Sequence, residues 1–219
     1  MQKKLVILGH HWSKEKIFIS ALWGIGFFVI SLLINYFAGT YATAHISNPV
    51  NDLILDNIPT YDVDGIFVYG ILLFFIFVGI LIIHQPRRAP FILKSLSLFI
   101  IIRSFFIILT HIAPSLHQTP LDVQNRIVNA FTFTGDLFFS GHTGLPFLMA
   151  LIFWKDKILR TTFLIISVFF GFIVLAGHMH YSIDVFSAFF ITYGIFQISS
   201  QLFKKDFYLL NSLNPKLSK

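Results

Sequence analysis

Two short runs hold ionisable residues at spacings that suit a reaction centre. They are Gly135-Asp136-Leu137-Phe138-Phe139-Ser140-Gly141-His142-Thr143-Gly144 and His180-Tyr181-Ser182-Ile183-Asp184. Both abut long apolar stretches, where ionisable side chains are costly and usually functional. His180 and Asp184 stand four residues apart, so a helical turn puts them on one face. The carboxylate can then accept the Nδ1 proton of the imidazole and leave Nε2 as a nucleophile, the orienting logic of hydrolytic triads. His142, once protonated, can give a proton to a leaving oxygen. Ser140 can cap a helix whose first turn holds Gly141, His142 and Thr143. The N–H groups and positive dipole end of such a turn favour an anion such as phosphate, and Gly141 lets a phosphate oxygen come close to the backbone. The chemistry these residues suit is phosphoryl transfer through a histidine.

The elements that must position them read as membrane spans. The 219 residues are 56% hydrophobic and 12% charged, with 28 phenylalanines and no cysteine; the mean hydropathy is +0.78. A soluble domain carries about 25% charged residues. The composition therefore fits an all-α membrane protein, and six apolar stretches approach the roughly 20 residues a bilayer needs. They are Ile17–Ala38, Gly65–His84, Phe91–Ile112, Phe138–Trp154, Thr162–Gly177 and Val185–Phe203. The first is too long, and set too far into the chain, for a cleaved signal peptide. The reading is one catalytic domain of six transmembrane helices over 17–203, between an N-terminal segment 1–16 and a basic tail 204–219.

Loop charge sets the orientation. Lys3, Lys4, Lys14, Lys16, Arg87, Arg88, Lys94, Lys155, Lys157, Arg160, Lys204, Lys205, Lys216 and Lys219 fall on one side of this layout, 14 of the 16 basic residues. The opposite side has Asp52, Asp56, Asp62 and Asp64, with Arg126 as its basic residue. Both termini are thus expected in the cytoplasm. The two motifs then open spans four and six on the exoplasmic face, whether periplasmic, lumenal or extracellular. The net charge of +6 becomes a topology signal, which argues against nucleic-acid binding. The lack of cysteine excludes disulfides and thiolate metal sites.

Arg103 is the one basic residue deep in a span, and such a residue needs a partner or a wet cavity. A lipid phosphate and Asp136 are the two candidates. Span four is short, so its motif is expected to lie recessed, and Pro146 is expected to kink it by freeing the His142 carbonyl. His178 reads as a helix-end hydrogen-bonding residue in preference to one that lines the pocket. His10, His11, His84, His111 and His117 read as interfacial or solvent residues. Tyr41, Tyr61, Asp56 and Asp62 read as a solvated loop in preference to an ammonium cage.

With these residues in view, the chain resembles the sphingomyelin synthase family, a branch of the type 2 phosphatidic acid phosphatase superfamily. Gly135-Asp136, Ser140-Gly141-His142-Thr143 and His180-Tyr181-x-x-Asp184-Val185 match two of that family's signature blocks. The run from Arg103 to Pro114 and the run from Asp52 to Pro59 resemble two further ones. The resemblance covers roughly Val50 to Phe203. It implies that His180 attacks the phosphate of a donor phospholipid with help from Asp184. The headgroup, phosphocholine or phosphoethanolamine, then passes to a lipid alcohol such as ceramide, with His142 managing protons. Ser140, Gly141, Arg103, Asp136 and Tyr181 would bind the substrate or its phosphate, and neither cofactor nor metal is implied. The wider superfamily's phosphatases carry a Ser-Arg pair shortly before the nucleophilic histidine, where Ile173 and Val174 stand here, and an Arg-Pro pair that this chain lacks. Those cations suit a phosphate monoester, so their absence favours a phosphodiester donor. A hydrolase on the same site, releasing the headgroup to water, and a transporter or scaffold are the rival readings. The sequence is silent on oligomeric state.

Overall fold

The computed structural model describes residues 13–119 and 133–212. Arg126, Lys3, Lys4, Lys216 and Lys219, with parts of the two terminal segments and of the third loop, lie outside the described residues. The described residues form seven α-helices: α1 Lys14–Ala44, α2 Asp64–His84, α3 Ala89–Leu109, α4 Gly141–Ile152, α5 Lys157–Ala176, α6 Ser182–Leu202 and α7 Lys204–Ser212. Single 3₁₀ turns stand at Leu55–Asn57 and Pro86–Arg88.

Local chemistry sets the helix ends. The Ser13 hydroxyl accepts the Lys16 N–H at 3.3 Å and opens α1. The Asp156 carboxylate accepts the Leu159 N–H at 3.2 Å and opens α5. Pro90 sits in the first turn of α3, where a missing N–H costs little. Five helices are long and apolar enough to cross a membrane: α1, α2, α3 with the turn before it, α5 and α6. The expected fourth span is a different object. Its helix has 12 residues, about 18 Å at ~1.5 Å per residue, against a hydrocarbon core of about 30 Å. The segment from Gly135 to Ser140 runs in without helix.

α3 is the centre of the bundle. It packs chiefly against α1 and also touches α4, α6 and α7, while α4 packs on α5 and α6. The core is phenylalanine-rich, with Phe74, Phe91, Phe99, Phe139, Phe153, Phe163 and Phe170 in one cluster. α1 and α2 turn Phe18, Trp23, Phe37, Leu73 and Ile83 outward. Helices apolar on all faces belong in lipid.

The end where α1 and α3 begin is closed by a buried polar knot. Lys94 Nζ lies 2.7 Å from Asp206 Oδ2 of α7 and donates to Ser20 Oγ of α1 at 2.8 Å. Ser20 donates in turn to Asp206 Oδ1 at 2.7 Å. At the opposite end α1 and α3 finish and α2, α4 and α6 begin. The candidate site is there.

Candidate active site

α4 starts as its sequence requires. Ser140 is fully buried, and its hydroxyl accepts the Thr143 N–H at 3.4 Å, leaving Gly141, His142 and Thr143 in the first turn. Two bonds fix this turn to its neighbours. The Ser140 N–H donates to the Asp184 carbonyl at 3.0 Å, which ties the start of α4 to the start of α6. Ser167 of α5 donates to the Thr143 carbonyl at 2.7 Å.

His142 is half-buried and lies flat on Phe67, with ring centroids 3.9 Å apart; the edge of Phe170 closes the other side at 5.6 Å. Its Nε2 meets the Phe67 carbonyl at 3.1 Å. A carbonyl only accepts, so Nε2 carries hydrogen and Nδ1 is the atom left for proton exchange. His142 is within electrostatic reach of both His180 and Arg103.

His180 and Asp184 are 4% and 1% exposed, and His180 Nδ1 stands 3.5 Å from Asp184 Oδ2. The same Oδ2 accepts the Tyr181 N–H at 3.0 Å, so Asp184 both closes the first turn of α6 and faces the imidazole. The 3.5 Å separation is longer than a good hydrogen bond, and Nδ1 has no hydrogen-bond partner among the described residues.

Of the two candidate partners for Arg103, the structure supplies Asp136. The guanidinium pairs with the Asp136 carboxylate, donates from Nε to the Phe139 carbonyl at 2.7 Å, and donates to the Asp136 carbonyl at 3.3 Å. A Cβ on Gly141 would sit 3.4 Å from Arg103 Nε, so the cation lies against the first residue of α4. Tyr181 is buried and committed elsewhere. Its hydroxyl donates to the Ala113 carbonyl at 2.8 Å and accepts the Val50 N–H at 3.2 Å. Burial raises its phenol above the ordinary value.

The structure adds the bonding of two further residues. The first is Asp52, 8% exposed, whose Oδ2 accepts the Ser182 N–H at 2.7 Å while Oδ1 takes those of Ile54 and Leu55 at 2.9 and 3.1 Å. Burial alone would raise this carboxyl, but the surrounding N–H donors outweigh it and hold the group below 3.8. The second is His178, which has a φ of 53°. It is the left-handed residue of a Schellman turn ending α5: the His178 N–H meets the Leu175 carbonyl at 3.0 Å and the Met179 N–H meets the Val174 carbonyl at 2.8 Å. Glycine usually takes that place. The ring of His178 is buried, and neither nitrogen has a well-formed partner among the described residues. Burial pushes this imidazole below its ordinary value, against smaller opposing pulls from the Ile58 backbone and from Asp52 and Asp56. With Asp56, Thr60 and His117 it lines a recess of ≈ 400 Å³. Among the described residues no three of His, Asp or Glu are grouped as metal ligands would be.

The site thus joins two histidines, a carboxylate and an arginine at two helix starts, and the sequence around it has recognisable relatives. Residues 134–201 match the family model described as PAP2 superfamily C-terminal. The likeness is to the sphingomyelin synthase-related branch of that superfamily. It is 28% identical to "Sphingomyelin synthase-related 1" of Caenorhabditis elegans, over 68% of this chain and 36% of that protein. It is 30% identical to "Sphingomyelin synthase-related protein 1" of Mus musculus, over 68% of this chain and 37% of that protein. The match spans little more than a third of the length of these curated relatives. The PAP2 match runs through Asp136, Ser140, Gly141, His142, His180, Tyr181 and Asp184, so it includes both motifs.

Proposed function

We propose that this multi-pass membrane protein is a lipid headgroup phosphotransferase, moving phosphocholine or phosphoethanolamine from a glycerophospholipid to a lipid alcohol of the ceramide class. The observation that carries the reading is the buried His180–Asp184 pair at the start of α6, bonded by backbone to the start of α4, which holds His142.

In the first step Nε2 of His180 attacks phosphorus, and the bond from phosphorus to the diacylglycerol oxygen breaks. Asp184 faces Nδ1 and favours the positive charge that develops on the ring. Protonated Nδ1 of His142 gives its proton to the departing oxygen, a contribution of about 10²- to 10⁴-fold. In the second step neutral Nδ1 takes the proton of the acceptor hydroxyl. That oxygen attacks phosphorus, the P–N bond breaks, and His180 is regenerated. The start of α4 supplies positive potential for the phosphate, and Arg103, paired with Asp136, braces the approach to that turn. The balance of basic residues across the spans supports an exoplasmic site.

Purified protein, given headgroup-labelled phosphatidylcholine or phosphatidylethanolamine with and without ceramide, tests the reading. Ceramide-dependent appearance of label in a new lipid is expected. Release of label only as a water-soluble product makes the protein a hydrolase. Unchanged activity in His180→Ala removes the catalytic assignment.

A further inference from the structure

The two residues between His180 and the turn that carries Asp184 are also held from outside α6. Tyr181 is pinned through its hydroxyl to Ala113 and Val50. Ser182, the first residue of α6, gives its N–H to Asp52, 130 residues away in the loop between α1 and α2. We infer that Asp52 is a positioning residue for the His180–Asp184 pair, acting as an external cap on the N-terminus of α6.

A helix start leaves its first N–H groups without intrahelical partners. In α6 the Tyr181 N–H is taken by Asp184 and the Ser182 N–H by Asp52. Asp184 therefore depends on this turn staying closed: a frayed start would move its carboxylate away from the imidazole, which already stands at 3.5 Å. Asp52 suits the task because it is rigid. Its second oxygen holds the N–H groups of Ile54 and Leu55, and its own N–H goes to Asp56 Oδ2 at 3.1 Å. A buried carboxylate that accepts three N–H bonds, in an otherwise acidic loop, fixes one end of the α6 turn.

The inference rests on the phosphotransfer reading, and its test separates the two. Ser182 is the first helical position, where proline is favoured because its missing N–H is not needed within the helix. Tyr181 has φ −71° and ψ 157°, the extended backbone that a residue before proline adopts. Ser182→Pro thus deletes the bond to Asp52 and leaves α6 able to form. Asp52→Ala, Ser182→Pro, their double variant and His180→Ala are assayed for transfer from labelled phosphatidylethanolamine or phosphatidylcholine to ceramide. Each of the first two is expected to lower kcat about 10- to 100-fold with KM within about twofold. The double variant should be no worse than the poorer single, because both remove one interaction. Wild-type kcat in Ser182→Pro, or losses that multiply in the double variant, overturns the inference. Should Asp52→Ala fail to fold, Ser182→Pro alone decides. Activity retained by His180→Ala refutes the phosphotransfer reading itself, whatever the other variants show.

Discussion

At the scale of single residues, the account assigns different losses to the side chains of the site. His180→Ala removes the nucleophile and is expected to lower kcat roughly 10⁴-fold or more. His142→Ala removes a proton carrier and should cost about 10²- to 10⁴-fold, with KM little changed. Asp184→Asn separates two duties of one carboxylate. An asparagine oxygen can still accept the Tyr181 N–H, so the melting temperature should hold. The charge facing His180 is gone, so kcat should fall by about 10² or more. Steady-state kinetics beside thermal melting in detergent checks all three. Asp52 gives a pH prediction. Its folded-state value lies below 3.8, so the stability it contributes is full above that value and is lost as pH falls through the lower folded one. The gap in melting temperature between wild type and Asp52→Ala should therefore be widest near neutral pH and close in acid.

At the scale of elements, α4 is where the fold is most demanding. A Cβ on Gly144 would sit 2.8 Å from Phe99 and 2.9 Å from Thr192 Oγ1. That contact is too close for any real side chain, so Gly144→Ala should force α4 off α3 and α6 at a cost of about 1–3 kcal/mol. Detergent melting reads the loss, and the smaller cap loss in Ser140→Ala, about 1 kcal/mol, gives the comparison. The cap was legible because Ser-Gly-His-Thr before an apolar run has a local chemical meaning. The true length of α4 was not. Phe138 and Phe139 continue the apolar pattern, but they precede the cap, and the chain enters without helix to bring the Phe139 carbonyl to Arg103. Hydropathy alone does not separate apolar helix from apolar approach. Likewise the pairing of Arg103 with Asp136 was one of two options in the sequence, because contacts across 33 residues depend on how helices cross.

At the scale of the whole molecule, charge placement and the grouping of helix starts point the same way. The carboxylates of the loop between α1 and α2 lie at the end that holds the candidate site, and the lysine-bearing starts of α1 and α3 lie at the other. The natural absence of cysteine makes this testable without background. A single cysteine replacing Asp62 should react with a membrane-impermeant maleimide in intact cells, and one replacing Lys155 should react only after lysis; the reverse pattern would put the site in the cytoplasm. What the sequence could not convey at this scale was the bond from Asp52 to Ser182, since nothing local to either residue encodes a partner so distant. The helix-bearing motifs were readable because their chemistry is contained within a few residues, whereas the clasp exists only once the loop has folded over α6. The most direct test of the central claim is covalent. Protein incubated with headgroup-labelled donor and no acceptor, then quenched under denaturing conditions that preserve acid-labile bonds, should carry label on His180 and release it when ceramide is added before the quench. Transfer to ceramide that proceeds at full rate with no labelled protein, or label that persists in His180→Ala, would contradict the account.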